Sequence, residues 1–441
     1  MIGRNATRGT VLGGTCINVG CVPSKRLLTV GTFFRELGEK RYGGIDYRID
    51  GVDYEEVFQE KKRLLEKLRN EKYEAVLESL ENVTYINSFG SFIDAETIKA
   101  GSREIGAKNT LIATGARAAI PEIDGLPKVD YLTSEDALSL KELPSSILII
   151  GGRAIGLEFA QMFSDFGVKV TLLQRSDRII PNWEPEISSY LKSYLEKEGV
   201  SIVTNAELIG IEGHGKKKTL KARIGKKTFY YEADEILFAT GRAPNTEKLN
   251  ASEAGVKLDG KKFVIVDKAL KTSSNNIYAA GDVTGQPMLE TLAAKEGNMA
   301  TSNIFQRTKN EINLDEIPSA IFTYPEAARV GKTEEQVVKD GIRCACSPLD
   351  LALVPKAKIV GDSRGVIKIV IDHKTKKILG VHMLAPHAAD MIHEGVLAVK
   401  FGLTIDDIID TVHVFPTLSE GFKLAAQAFY EDVSKLSCCT A

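Results

Sequence analysis

A chain of 441 residues, 43% hydrophobic and 26% charged, is long enough to bury several cores, and two to four domains are expected. Its formal charge of -2, spread over interspersed acids and bases, excludes the basic face of a general nucleic-acid or membrane-surface binder. No stretch approaches the ~20 unbroken apolar residues of a membrane-spanning helix, and the opening Met1-Ile2-Gly3-Arg4-Asn5 has no apolar signal core behind it. A cytoplasmic protein with a small-molecule partner is expected.

From the amino end, a segment rich in Gly and Cys turns helical over residues 25–37. Residues 54–80 are charged, with apolar positions at Val57, Leu64, Leu65, Leu68, Val76 and Leu77, the pattern of a solvated amphipathic helix or helix pair. Short alternating stretches over residues 83–113 read as strands, the last running through Asn109-Thr-Leu-Ile-Ala-Thr-Gly115 into a tight turn. Ile147-Leu-Ile-Ile150 then opens a strand-turn-helix-strand unit, with the turn at Gly151-Gly-Arg-Ala-Ile-Gly156 and the second strand at residues 168–173. This unit closes at Ile236-Leu-Phe-Ala-Thr-Gly-Arg242. Asn276-Ile-Tyr-Ala-Ala-Gly-Asp282 leads to a helix near residues 290–305. From about residue 316, strands at 365–371 and 378–383 precede three helical stretches, an α+β pattern.

A glycine-rich turn between strand and helix lets backbone approach a pyrophosphate, and the helix amino end adds unpaired N–H groups and partial positive charge. Gly151 and Gly156 hold the first and third glycine positions of that pattern, while Arg153 stands at the middle one, where a side chain would crowd the phosphates. The second strand ends in Gln174-Arg-Ser-Asp-Arg178. Two guanidinium groups, Arg175 and Arg178, with no acid at the strand end favour NADPH over NADH.

The six cysteines fall as three close pairs, Cys16 with Cys21, Cys344 with Cys346, and Cys438 with Cys439. In a long cytosolic chain such pairs read as redox or metal chemistry before scaffolding. Cys16 and Cys21 follow Gly13-Gly14-Thr15, close enough for a disulfide if a helix starts there, and a helix amino end would lower a thiol pKa. Cys344 and Cys346 lie in a strand-like stretch and read as packing thiols.

Gly13-Gly-Thr-Cys-Ile-Asn-Val-Gly-Cys-Val-Pro-Ser-Lys25 resembles the active-site signature of the pyridine nucleotide-disulfide oxidoreductase family. The likeness extends through Ala113-Thr-Gly115, Gly156-Leu-Glu158, Ala239-Thr-Gly-Arg-Ala-Pro-Asn245, Ala280-Gly-Asp282 and Phe322-Thr-Tyr-Pro-Glu326. It implies an α/β fold with two Rossmann-like dinucleotide-binding domains, for FAD and NADPH, and a carboxy-terminal α+β dimerisation domain, working as a homodimer. The implied domains are FAD over 1–144 and 246–315, NADPH over 145–245, and dimerisation over 316–441. Cys16 would be the interchange thiol, Cys21 the thiol against the flavin, and Lys25 with Glu158 an ion pair at the flavin's reducible edge. Gly14, Thr15, Thr114, Gly115, Gly281, Asp282, Leu289 and Ala293 would serve FAD, the last two aiming a helix amino end at the flavin. Gly151, Gly156, Glu158, Arg175, Arg178 and Gly241 would serve NADPH. Arg8-Gly9-Thr10 matches the residues just before the redox motif, so the FAD domain is expected to lack its first strand-turn-helix, with Thr7 where an acid would bind the adenosine ribose.

Disulfide-reducing members of the family carry a His-Pro whose imidazole moves protons for substrate thiols. Here the stretch is His413-Val-Phe-Pro-Thr-Leu-Ser-Glu420, with Phe415 in that place and His413 a neighbour with a packing or surface role. The chain ends Leu436-Ser-Cys-Cys-Thr-Ala441, and two adjacent soft thiolates can hold Hg(II) and pass it on by ligand exchange. Both features resemble the Hg(II)-reducing branch of the family, although Thr417 stands where that branch commonly has Tyr. The implied metal ligands are Cys16, Cys21, Cys438 and Cys439, with a Hg(II)-thiolate as substrate. An NADPH-dependent disulfide reductase and a noncatalytic dimeric binding protein are the alternatives.

Overall fold

The computed structural model describes residues 1–3, 12–39, 41–215, 217–306, 308 and 310–436. The chain divides into two compact units, the first made of Met1–Pro23, Phe58–Pro121 and Thr240–Asn313, the second of Ser24–Val57, Glu122–Ala239 and Leu314–Ala441.

In the first unit two short parallel pairs, Ile2–Gly3 with Ile86–Asn87 and Thr110–Ile112 with Ile277–Ala279, accompany an antiparallel three-stranded sheet over Gly90–Phe92, Thr97–Ala100 and Arg103–Gly106. Phe92, Ile112, Leu249, Val264, Ile277 and Val283 bury their side chains together as its core. Gly101, at φ +64°, makes the tight turn between the second and third of these antiparallel strands. The helix Glu290–Phe305 lies where the sequence expects it.

The second unit contains a four-stranded parallel sheet in the order Ser201–Val203, Lys169–Leu173, Ser146–Ile150, Glu235–Phe238. Parallel strands are covered on both faces, so they read as continuous apolar runs, and Ile147 to Ile150 are all buried. In chain order the strands lie 3-2-1-4, which places the direction reversal beside Ser146–Ile150, the strand that feeds the glycine turn. The helix Ala154–Asp165 buries nine of its twelve residues, and Leu27 and Leu28 of the helix Cys21–Glu39 join the same core. An antiparallel meander, Glu207–His214, Lys217–Ile224 and Lys227–Ala233, is inserted before the fourth strand.

Also in this unit, a five-stranded antiparallel sheet runs Ser319–Ile321, Glu326–Gly331, Ile378–Ala385, Val366–Asp372, Cys344–Asp350. Three helices follow, Ala388–Phe401, Ile405–Asp410 and Glu420–Gln427, matching the α+β expectation. Among the described residues no helix is long and apolar enough to cross a membrane. The amphipathic helix or helix pair expected over 54–80 runs as Tyr54–Arg69 through a π-turn at Asn70–Glu74 into Ala75–Glu78.

Candidate active site

The thiol pair of the first unit is formed by a break between two helices. Thr15–Val19 is one and Cys21–Glu39 the next, with Gly20 between them at φ -134° and ψ -114°. A Cβ on Gly20 would lie 2.9 Å from the Thr15 carbonyl oxygen, so a residue without one lets the chain turn this tightly. Cys16 is half-buried and Cys21 exposed, neither is in a disulfide, and their thiols are hydrogen-bonded to each other.

The lowered thiol pKa expected at the helix amino end is not found at Cys16. Its pKa is pushed up, first by the hydrogen bond with Cys21, then by burial, then by the negative charge of Cys21 and Glu290. A five-residue helix has too few aligned peptides to oppose these effects. Cys16 therefore keeps its proton and shares it with the Cys21 sulfur.

Asn18, which sequence reasoning missed, ties the loop together. Its Nδ2 donates to the carbonyls of Leu12, Gly13 and Gly14 at 3.1, 3.0 and 3.1 Å, and its Oδ1 accepts from Arg69 at 3.0 Å. Gly14 is the N-cap and Thr15 the first helical residue. Gly13 has φ +95°, and a Cβ there would strike Ile17 at 2.5 Å and stand 3.5 Å from the Tyr73 ring. The Tyr73 hydroxyl is held protonated above its ordinary range by burial, then by Cys16, Glu290 and Cys21. Tyr73 and Glu290 are thus neighbours of the thiols that no local motif announces.

Elsewhere in this unit, Asn245 braces the Thr114-Gly115 turn, its Nδ2 donating to the Thr114 carbonyl at 2.9 Å and its backbone N–H to that of Gly115 at 3.0 Å. Gly281 has φ +77°, donates its N–H to Glu296 Oε2 at 2.6 Å, and would place a Cβ 3.2 Å from that of Ala293. Asp282 lies 3.3 Å from Arg242 Nε, and burial raises its carboxyl pKa against the pull of that guanidinium. Leu289 is the extended N-cap of Glu290–Phe305, with no side chain capping the helix. Gln286 Oε1 and Glu296 Oε1 are buried acceptors without hydrogen-bond partners among the described residues. Buried acceptors and an uncapped sixteen-residue helix fit the ribityl hydroxyls and pyrimidine oxygens of a flavin.

In the second unit the glycine turn has the form a pyrophosphate requires. A Cβ on Gly156 would sit 1.8 Å from the Gly151 carbonyl oxygen, so helix and turn meet only because Gly156 has none. Arg153 is the N-cap of Ala154–Asp165, in extended conformation with an exposed side chain and no side-chain cap bond. Its guanidinium is therefore not packed into the turn, and the first-turn N–H groups fit an anion. Gln174, buried at the strand end, points back at the turn: Oε1 accepts from Gly152 N–H at 2.8 Å and Nε2 donates to Ser176 Oγ at 3.0 Å. Arg175 is exposed, whereas Arg178 donates to the Pro181 carbonyl at 2.8 Å and leaves its buried Nε without a partner among the described residues. Gly241, with φ +126°, belongs to the first unit, where its carbonyl accepts from Ala119 at 3.0 Å.

Lys25 and Glu158, 133 positions apart, meet at 2.7 Å in the second unit. Glu158 is 6% exposed; its other oxygen accepts from the Phe322 N–H at 2.9 Å, and the Lys25 ammonium lies 4.7 Å from the Phe322 ring centre. Toward the carboxy end, His413 is fixed by Glu394 at 2.8 Å and the Thr411 carbonyl at 3.0 Å. Phe415 is 52% exposed, and Thr417 donates to the Val414 carbonyl. Thr7 to Thr10, Cys438 and Cys439 lie outside the described residues.

Residues 2–297 match the pyridine nucleotide-disulphide oxidoreductase family and residues 317–426 its dimerisation domain. A mercuric reductase of Staphylococcus aureus is 41% identical over 432 residues, covering 98% of this chain and 79% of that protein. A mitochondrial dihydrolipoyl dehydrogenase of Pisum sativum is 32% identical, with coverage of 95% and 85%. The solved structure of the Cu(II) complex of the HOCl-induced flavoprotein disulfide reductase RclA from Escherichia coli superposes with a TM-score of 0.85 at 28% identity, covering 97% of this chain and 92% of that one. The chain belongs to the pyridine nucleotide-disulphide oxidoreductase family, flavoprotein oxidoreductases that use FAD and NADPH.

Proposed function

We propose that the chain reduces thiol-bound Hg(II) to Hg(0) at the expense of NADPH, as a cytoplasmic homodimer. The observation that carries this reading is Phe415: an apolar ring stands where disulfide reducers keep an imidazole, and the nearby His413 is tied to Glu394. Without a proton shuttle at that place, release of two substrate thiols from a disulfide is disfavoured, whereas ligand exchange on Hg(II) needs thiolates rather than an acid. The similarity over nearly the whole chain to mercuric reductases supports it.

The reaction balances as Hg(SR)2 + NADPH + H⁺ giving Hg(0), two RSH and NADP⁺. FAD, when bound, would supply the two-electron redox chemistry that links NADPH to the substrate. Cys438 and Cys439 take Hg(II) from carrier thiols, and Cys16 and Cys21 receive it, their shared proton leaving as the metal arrives. Lys25, anchored by Glu158, would offer fixed positive charge to the bound cofactor, and Asp282 and the amino end of Glu290–Phe305 would hold it. Arg175 and Arg178 recognise the 2′-phosphate, beside the turn from Gly151 to Gly156. The domain division belongs to the same proposal: FAD over 1–144 and 246–315, NADPH over 145–245, dimerisation over 316–441.

The test is Hg(0) release with NADPH, excess thiol and Hg(II), in the wild type and in the Cys438→Ala, Cys439→Ala double variant. Mercury vapour from the wild type and a loss of at least about tenfold in the variant are expected, with reduction of the flavin by NADPH retained. Rapid turnover of a small disulfide with no Hg(0) release would overturn the reading in favour of a disulfide reductase. The hydrogen-bonded thiol pair and the likeness to RclA favour that second reading.

A further inference from the structure

Cys344 and Cys346 do not pack into the core as expected. They lie two apart on Cys344–Asp350, the edge strand of the five-stranded sheet, so both side chains leave the same face, and both are half-buried. Glu334, the first residue of the helix Glu334–Lys339, reaches the same place. The two sulfurs and a Glu334 carboxylate oxygen all lie within 4.8 Å of one another. Two sulfurs bound to one d¹⁰ cation at roughly 2.3 Å each stand at most about 4.6 Å apart, so this spacing needs only a small adjustment.

The surroundings hold that spacing. The strand is fixed by its ladder, Cys344 opposite Asp372 and Cys346 opposite Val370. Glu334 is oriented by Lys368, whose ammonium contacts its Oε2 at 2.9 Å and also Glu184 and Glu186 at 2.8 and 2.9 Å. Three carboxylates against the Lys368 ammonium and the Arg329 guanidinium, which is within electrostatic reach of Glu184, leave net negative charge beside the thiols. The Cys346 thiol donates to Glu334, so a carboxylate acceptor is already placed at the proton a metal must displace.

We propose that Cys344, Cys346 and Glu334 form a binding site for a thiophilic divalent d¹⁰ cation, distinct from the redox pair and from the terminal pair. Two soft sulfur donors with one carboxylate select such ions over Mg(II) or Ca(II). Binding releases the two thiol protons and leaves a coordination position for water or an external thiol. The proposal stands whether the chain reduces Hg(II) or a disulfide, because it uses none of those residues.

The test uses the full chain with Cys16, Cys21, Cys438 and Cys439 all replaced by Ser, and Cd(II) as the probe. Equilibrium dialysis is expected to give one Cd(II) per chain, with ultraviolet thiolate-to-metal absorption. Adding Cys344→Ser and Cys346→Ser should abolish both, and Glu334→Gln should weaken binding by at least about tenfold. Absence of the absorption in the four-Ser chain, whose proposed site is intact, overturns the proposal. So does equal binding in the six-Ser chain, or unchanged affinity in Glu334→Gln.

Discussion

Asn18 makes one side chain responsible for the geometry of the redox loop. Its amide N–H groups reach three successive carbonyls, and Arg69 holds its oxygen, so Asn18→Ala leaves these acceptors to water and lets the Gly13-Gly14 turn relax. At about 1 kcal/mol net for each neutral hydrogen bond, the loss is of the order of 2–3 kcal/mol, localised at the thiols. Turnover of the thiol-dependent half-reaction should fall at least about tenfold while reduction of the flavin by NADPH stays near wild type. Stopped-flow measurement of the two half-reactions checks this; equal losses in both would mean that Asn18 serves the fold at large. Sequence patterns show Gly13, Gly14 and Gly20 as turn formers, but nothing local tells that Asn18 points inward at the turn. That depends on Arg69 arriving from the helix Tyr54–Arg69.

At the scale of the element, the glycine turn separates two kinds of glycine. A Cβ on Gly156 would overlap a backbone oxygen at 1.8 Å, whereas one on Gly152 would meet side chains of Ile179, Gln174 and Leu172 at 3.1 to 3.3 Å. Backbone cannot yield without moving the helix Ala154–Asp165, so Gly156→Ala should raise the NADPH dissociation constant by at least about tenfold and lower Tm. Gly152→Ala should do less of both. Calorimetric titration and thermal melts decide, and an equal tolerance of the two substitutions would remove the turn as the cofactor cradle. Arg175 is exposed at the end of Lys169–Leu173, so Arg175→Ala should reduce the preference for NADPH over NADH by about tenfold in kcat/KM, the loss of one charge-assisted contact. An unchanged ratio would leave cofactor choice to Arg178, which is already engaged with Pro181.

Across the whole second unit, stability at low pH depends on a buried histidine. His382 is fully buried in the strand Ile378–Ala385, with Nε2 on the Lys332 carbonyl at 3.1 Å and Nδ1 without a partner among the described residues. Burial pushes its pKa down to about 4, against the attraction of Glu184 3.8 Å away, while Arg329 and Lys368 push in the same direction as burial. A histidine with a depressed folded pKa contributes stability that is complete above its unfolded value, roughly 6.5, and is lost as pH falls through about 4. The urea midpoint should therefore fall between pH 7 and pH 4, and His382→Gln should shrink that fall. The same acid slope in both proteins would assign the loss to carboxylates instead. Lys368, 2% exposed among Glu184, Glu186 and Glu334, makes the complementary case: Lys368→Met leaves carboxylates facing one another and should cost about 3–5 kcal/mol in urea unfolding.

What the sequence determined by itself is the local grammar of the fold: the apolar run from Ile147 to Ile150, the turn from Gly151 to Gly156, the cysteine pair flanked by glycines, and the α+β pattern after residue 316. Each is legible because it rests on short-range rules, a strand buried on both faces or a backbone that tolerates no Cβ. Arg153 was legible as a departure but not in its consequence, since only the folded turn shows its side chain at the surface. Tertiary structure decided which groups meet across long stretches of chain. The Phe322 N–H joins Glu158 beside the Lys25 that the family resemblance already implied, Gln174 turns back to Gly152, Tyr73 and Glu290 approach the thiols, and Glu334 joins Cys344 and Cys346. Such pairings follow from how helices and sheets pack, which residue spacing along the chain does not encode. The pKa of Cys16 depends on its neighbours too, because the hydrogen bond with Cys21, then burial and neighbouring charge, outweigh the dipole of a five-residue helix.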